Sequence, residues 1–174
     1  GTFIRDYMIP ELEKKHGLFK AGYANYLMGL STGGRGVVMV HLQNPGIFVG
    51  GAAFSGDYDQ TTEPNDNLMR NVYGPIAAFR NRWQGEDNPV HAIEKDPSRW
   101  TMPLYLAHGK NDRVVSMSHS QLLYEVLQKA KGNDFAVTYN AVDGAGHDYK
   151  FWNSQIEPAL RFFKNPKSFS DQPK

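Results

Sequence analysis

Asn25-Tyr-Leu-Met-Gly29-Leu-Ser31-Thr-Gly33-Gly34-Arg-Gly-Val-Val-Met-Val-His-Leu-Gln43 holds two patterns in immediate succession. Tyr26 to Leu30 is an apolar run of strand type. From Gly33 to Leu42 the apolar residues recur at helical spacing. Between them stands Gly29-x-Ser31-x-Gly33, a serine on a sharp turn from strand to helix, which makes Ser31 a candidate nucleophile. The glycines answer a steric need, because a turn this tight holds the serine near positive φ. Side chains at Gly29 and Gly33 are therefore expected to collide with the backbone, and Gly34 adds room. The helix behind Ser31 aims its free N–H groups at whatever the serine holds, with the Thr32 N–H the first donor for an oxyanion.

Outward from this turn the chain alternates strands and helices. Upstream, Phe3, Ile4, Tyr7, Met8 and Leu12 form an apolar helical stripe from Thr2, a candidate N-cap, to His16, and Pro10 predicts a kink or a late helix start. Downstream, Asn44-Pro45-Gly46 ends the helix and Ile47 to Phe54 reads as a second strand. Residues 55–99 are a looser excursion with short helical pieces. Trp100 to Ala107 is a third strand, ending at His108-Gly-Lys-Asn-Asp112. Ser116 to Lys131 is an amphipathic helix, Phe135 to Val142 a fourth strand, and His147 to Phe163 a last helix behind a glycine-containing loop. Strands without alternation suit a parallel sheet covered on both faces, so the fold class is α/β, doubly wound and mostly parallel, with right-handed crossovers.

Composition narrows the function. The 174 residues carry a formal net charge of +1, are 40% hydrophobic and 21% charged, and include no cysteine. One soluble core fits these values. Near-neutral charge without a Lys/Arg block argues against nucleic acid or an anionic membrane as partner, and no apolar run approaches a membrane span. Thiolate nucleophiles, thiolate zinc sites and disulfides are excluded. Beginning on Gly1 rather than Met, the sequence reads as a processed or cut chain, which leaves its compartment undetermined.

In such a sheet functional groups collect at the carboxyl ends of strands. A serine hydroxyl needs a base near neutral pKa, and that base needs an anion to fix its tautomer and stabilise its cation. Asp112 after the third strand and His147 after the fourth supply these, in the order Ser, Asp, His that the α/β-hydrolase fold uses. Rival readings exist: Asp112 as a cap of the helix near Ser116, Asp143 as the acid, His147 as a capping or surface histidine, and His108 as a histidine at a strand end, read here as structural.

Gly29-Leu-Ser-Thr-Gly-Gly-Arg-Gly with the following Asn44-Pro-Gly-x-Phe, Leu106-Ala-His-Gly-Lys-Asn-Asp and Gly144-Ala-Gly-His-Asp-Tyr-x-Phe-Trp together resemble the putative-esterase branch of the α/β hydrolases. That branch holds esterase D (S-formylglutathione hydrolase), feruloyl and acetyl-xylan esterases and the antigen 85 mycolyltransferases. The resemblance implies that residues 1–164 are the C-terminal portion of an α/β-hydrolase domain, followed by a polar tail at 165–174. It also implies a serine carboxylic-ester hydrolase with Ser31 as nucleophile, Asp112 as acid, His147 as base and no metal or organic cofactor. The substrate expected is a small-molecule or carbohydrate-linked ester. Acyl transfer by the same site, or a non-catalytic carbohydrate- or protein-binding member, are the alternatives, and an intact Ser, Asp and His argue against a binder. Within the excursion Tyr58, Tyr73, Phe79 and Trp83 could stack on a sugar or aromatic acyl group, with Tyr58 and Trp83 as candidate substrate contacts. Family members carry strands before the first helix seen here, so the strand before Ser31 is expected to pair with a separate N-terminal piece that brings a second oxyanion donor.

Overall fold

The computed structural model describes residues 3–20 and 22–168. Thr2, the candidate N-cap, and tail residues 169–174 lie outside them. Four strands, β1 (Tyr26–Leu30), β2 (Gly50–Phe54), β3 (Leu104–Gly109) and β4 (Val137–Val142), form one parallel sheet in the order β1-β2-β3-β4. Among the described residues seven α-helices accompany them: α1 (Ile9–His16), α2 (Thr32–Gln43), α3 (Asn67–Tyr73), α4 (Arg80–Gln84), α5 (Pro89–Lys95), α6 (Ser118–Lys131) and α7 (Tyr149–Lys164).

Alternation along the strands builds two separate cores. In β3, Leu104 and Leu106 point to the side where α2, α5 and α6 pack Val37, Val38, Ile93, Leu123 and Leu127, while Tyr105 and Ala107 point to Phe151, Trp152 and Phe162 of α7. Both central strands, β2 and β3, are buried throughout, whereas β1 has exposed residues and lies at the sheet edge among the described residues.

Several boundaries differ from the sequence reading. The first helix begins with a π-helical turn, Ile4–Met8, and becomes α-helical only at Ile9, so that Pro10, which has no N–H to donate, stands where the winding changes; Gly17 at φ +67° closes it. The second strand starts at Gly50, because 47–49 are still leaving the turn that follows α2. Trp100 and Met102 are buried without being strand: Trp100 packs edge-on against His41 of α2, with ring centroids 4.7 Å apart.

The excursion is held down by one buried cation. Arg35, on the first turns of α2, donates to the Asp57 carbonyl at 3.1 Å, the Asp57 carboxylate at 3.0 Å, Gln60 Oε1 at 2.9 Å, the Tyr73 hydroxyl at 3.0 Å and the Asp87 carbonyl. Three chain segments separated by up to thirty residues thus meet on one guanidinium, whose planar fork of five N–H donors suits such a junction.

Candidate active site

Ser31 occupies the turn between β1 and α2 at φ +54°, ψ −124°, a conformation that few non-glycine residues adopt. Its N–H donates to the Phe54 carbonyl at 2.8 Å and its carbonyl accepts from Gly34 N–H at 2.9 Å, so the strain is held from both sides. A Cβ on Gly29 would run into the Gly33 carbonyl, and one on Gly34 would stand 2.7 Å from the Phe54 carbonyl oxygen. Around Gly33, in contrast, a Cβ would meet nothing within 4 Å. The expected crowding therefore falls on Gly29 and Gly34 and not on Gly33, because Gly33 already points away from the strand as part of α2.

The loops after β3 and β4 are laced together. Lys110 N–H donates to the Val142 carbonyl and Asn111 N–H to the Ala145 carbonyl, each at 2.9 Å, and a Cβ at Gly109 would collide with that same Ala145 carbonyl. This brings Asp112 and His147 together. His147 Nδ1 lies 2.7 Å from Asp112 Oδ2, and His147 Nε2 lies 3.0 Å from Ser31 Oγ. Asp148 caps α7 through Phe151 N–H at 2.9 Å, so His147 sits just ahead of a well-anchored helix.

Asp112 does not cap α6, whose N-cap Met117 has no side-chain cap bond, but each of its oxygens has a partner. Its Oδ1 accepts from Val114 N–H and Val115 N–H, both at 2.9 Å, and so shapes the turn towards α6, while Oδ2 faces His147. Burial pushes the Asp112 carboxyl up, but the Val115 and Val114 amides and the His147 ring outweigh it and hold the group below its ordinary value. The rival acid Asp143 is 88% exposed and pairs with Lys110 at 3.0 Å. The rival histidine, His108, is buried with Nε2 at 3.3 Å from Asp112 Oδ2, farther than His147. Thr32 begins α2, so its N–H has no carbonyl behind it in the helix and stands beside the serine.

Two expected substrate contacts are corrected. Tyr58 and Trp83 are fully buried and present no surface to a ligand. Tyr58 packs into the core under α5 and α6, and Trp83 donates its indole N–H to the Gly74 carbonyl at 2.9 Å beside Tyr73. Tyr73 is buried as well, its hydroxyl on Arg35. The aromatics that border the site lie on α7. Trp152 meets the His147 ring edge-on at 4.9 Å and donates to Ser55 Oγ at 3.2 Å, and Tyr149, 77% exposed, packs on Trp152. With Met28, Leu30, Phe54 and Ile156 they line an apolar cavity of about 710 Å³. The spacing His147-x-Tyr149-x-x-Trp152, on the first turns of a helix opening at the site, carries that signal in the sequence.

The Putative esterase family matches residues 1–163. The chain belongs to that family. It is 27% identical to an acetyl esterase of Caldicellulosiruptor saccharolyticus over 177 residues, covering 93% of this chain and 62% of that protein. Among solved structures, a puromycin-hydrolyzing peptidase of Mycobacterium tuberculosis superposes with TM-score 0.73 at 19% identity, over 92% of this chain and 24% of the other. An S-formylglutathione hydrolase of Staphylococcus aureus does so with TM-score 0.67 at 20% identity, over 92% and 63%. These likenesses show the α/β-hydrolase fold, and the chain spans about three fifths of the acetyl esterase it matches. Among the described residues no helix is long and apolar enough to cross a membrane, and no group of three or more His, Cys, Asp or Glu could hold a metal ion.

Proposed function

We propose that this member of the esterase family hydrolyses a carboxylic ester through an acyl-enzyme on Ser31. The observation that carries the reading is the continuous line from Asp112 Oδ2 through the His147 ring to Ser31 Oγ, at 2.7 and 3.0 Å. His147 Nε2 takes the hydroxyl proton as Ser31 Oγ bonds to the ester carbonyl carbon, and the Thr32 N–H receives the oxyanion. As the C–O bond to the alcohol breaks, His147 returns the proton to the departing oxygen. Water, deprotonated by the same ring, then attacks the acyl-enzyme, and as the bond from the acyl carbon to Ser31 Oγ breaks, the ring returns that proton to Oγ, releasing the acid and free Ser31. Asp112 holds the Nδ1–H tautomer and offsets the imidazolium charge. The apolar cavity beside the turn supports a substrate with an apolar acyl or alcohol part, and the acetyl esterase relative supports the ester class.

A serine-directed phosphonate, followed by peptide mass mapping, tests the reading. Label is expected on the peptide holding Ser31, with loss of activity against a short-chain aryl ester. Ser31→Ala and His147→Ala should each lower kcat on the order of 10⁴-fold or more, because the two act as one unit. Activity within about tenfold of wild type in either variant would remove the mechanism.

A further inference from the structure

His108 is the fifth residue of β3, four residues before Asp112, and fully buried. Its Nε2 lies 2.9 Å from the Val115 carbonyl oxygen and 3.3 Å from Asp112 Oδ2, and its Nδ1 lies 2.8 Å from Ser120 Oγ on α6. A carbonyl oxygen only accepts, so Nε2 carries the hydrogen. Nδ1 is then the bare nitrogen and accepts from the buried Ser120 hydroxyl. Burial favours this neutral ring, with the Val115 carbonyl and Asp112 pulling the other way. The Nε2–H, donated to the Val115 carbonyl, thereby stands close to the same carboxylate oxygen that faces His147.

We propose that His108 is a positioning residue for the reaction: its Nε2–H, oriented by Ser120 and Val115, holds Asp112 Oδ2 in line with His147 and takes up part of its charge. Three N–H donors then bond the carboxylate, Val114 and Val115 on Oδ1 and His147 on Oδ2, and His108 Nε2 stands 3.3 Å from Oδ2 as a further positive pole. The consequence is a limit on how strongly Asp112 stabilises the imidazolium. Without that N–H dipole, Oδ2 keeps more of its charge for the imidazolium formed in the reaction. The titratable groups acting on His108 are Asp112 from its own loop, His119 from α6 and His147 from the loop after β4. This role rests on the Ser31–His147–Asp112 reading above.

The test is made on the full chain with an aryl ester. His108→Met, which keeps apolar volume and removes both ring nitrogens, should lower kcat about tenfold with KM nearly unchanged, as expected for the loss of one polar contact to a charged group. The acid limb of its kcat/KM profile should move to higher pH. His108→Gln, whose amide N–H reaches the Nε2 position, should restore most of both. A folded His108→Met protein with kcat within twofold of wild type and an unmoved acid limb overturns the proposal. If that variant does not fold, the ring ¹⁵N shifts of wild-type His108 decide: a neutral Nε2–H form between pH 5 and 9 supports the role, and a hydrogen on Nδ1 overturns it. Phosphonate labelling of wild-type Ser31 is run alongside. Label on Ser31 with an unaltered His108→Met variant condemns the role of His108 alone, whereas absence of label condemns the triad reading beneath it.

Discussion

Asp112 joins a structural contact to the proposed catalytic one on a single side chain. Its Oδ1 closes the turn towards α6 and its Oδ2 faces His147, so removing the charge should separate the two effects. Asp112→Asn is expected to lower kcat by about 10²–10⁴-fold, because an amide nitrogen turned to His147 stabilises the wrong tautomer. Asp143→Asn, on an exposed side chain paired only with Lys110, should leave activity within about twofold of wild type. The reverse ranking in steady-state assays would reassign the acid. The meeting of Asp112 and His147 was legible in the sequence because topology places loops after β3 and β4 at the same end of the sheet. Tyr58 and Trp83 were not. An aromatic in a stretch without periodicity reads the same whether it faces solvent or core, and only the folded chain shows the excursion drawn inward onto Arg35.

At the level of elements, the turn into α2 and the interior of that helix make separate predictions. Gly29→Ala should destabilise by roughly 1–3 kcal/mol through overlap with backbone that cannot yield. Gly33→Ala, unobstructed within the first turn of α2, should be neutral or stabilising by up to about 1 kcal/mol. Denaturant titration of the two variants checks the ranking, and equal losses would contradict it. Deeper in α2, His41 is fully buried against Trp100 with its Nε2 accepting the Thr101 N–H, and burial lowers its pKa from the ordinary 6.5 to about 4. Between those values the unfolded chain binds a proton that the folded chain refuses, so stability rises with pH across this window. Acidification from above 6.5 to about 4 should cost roughly 3 kcal/mol through this one residue. His41→Gln keeps an acceptor for Thr101 without titrating and should flatten the dependence in urea melts over that range. The burial of His41 was not evident from the helical stripe, since a histidine beside apolar residues fits a helix border equally well. Asp112, held below its ordinary value, contributes in the same direction only at lower pH, as it takes a proton in the fold.

For the whole molecule the exposed rim of the sheet matters most. β1 pairs with β2 on one side, and on the other Tyr26 and Met28 are partly exposed in a strand bearing the nucleophile turn at its end. We propose that a further polypeptide segment pairs along this rim and brings a second oxyanion donor. An unpaired row of backbone N–H and C=O groups next to apolar side chains favours association. Denaturing mass spectrometry of purified active protein should then show either a longer chain or an additional piece. A single polypeptide of 174 residues, monomeric and fully active as an esterase, would contradict this. A last consequence follows from the distance between Ser31 and His147, which meet in space yet stand 116 residues apart in the chain. During synthesis Ser31 leaves the ribosome roughly ten seconds before His147, at about 5–20 residues per second. Throughout that interval Ser31 is an ordinary alcohol. Under the proposed mechanism the chain therefore carries its reactive group through biosynthesis in latent form, and the loop after β4 arms it.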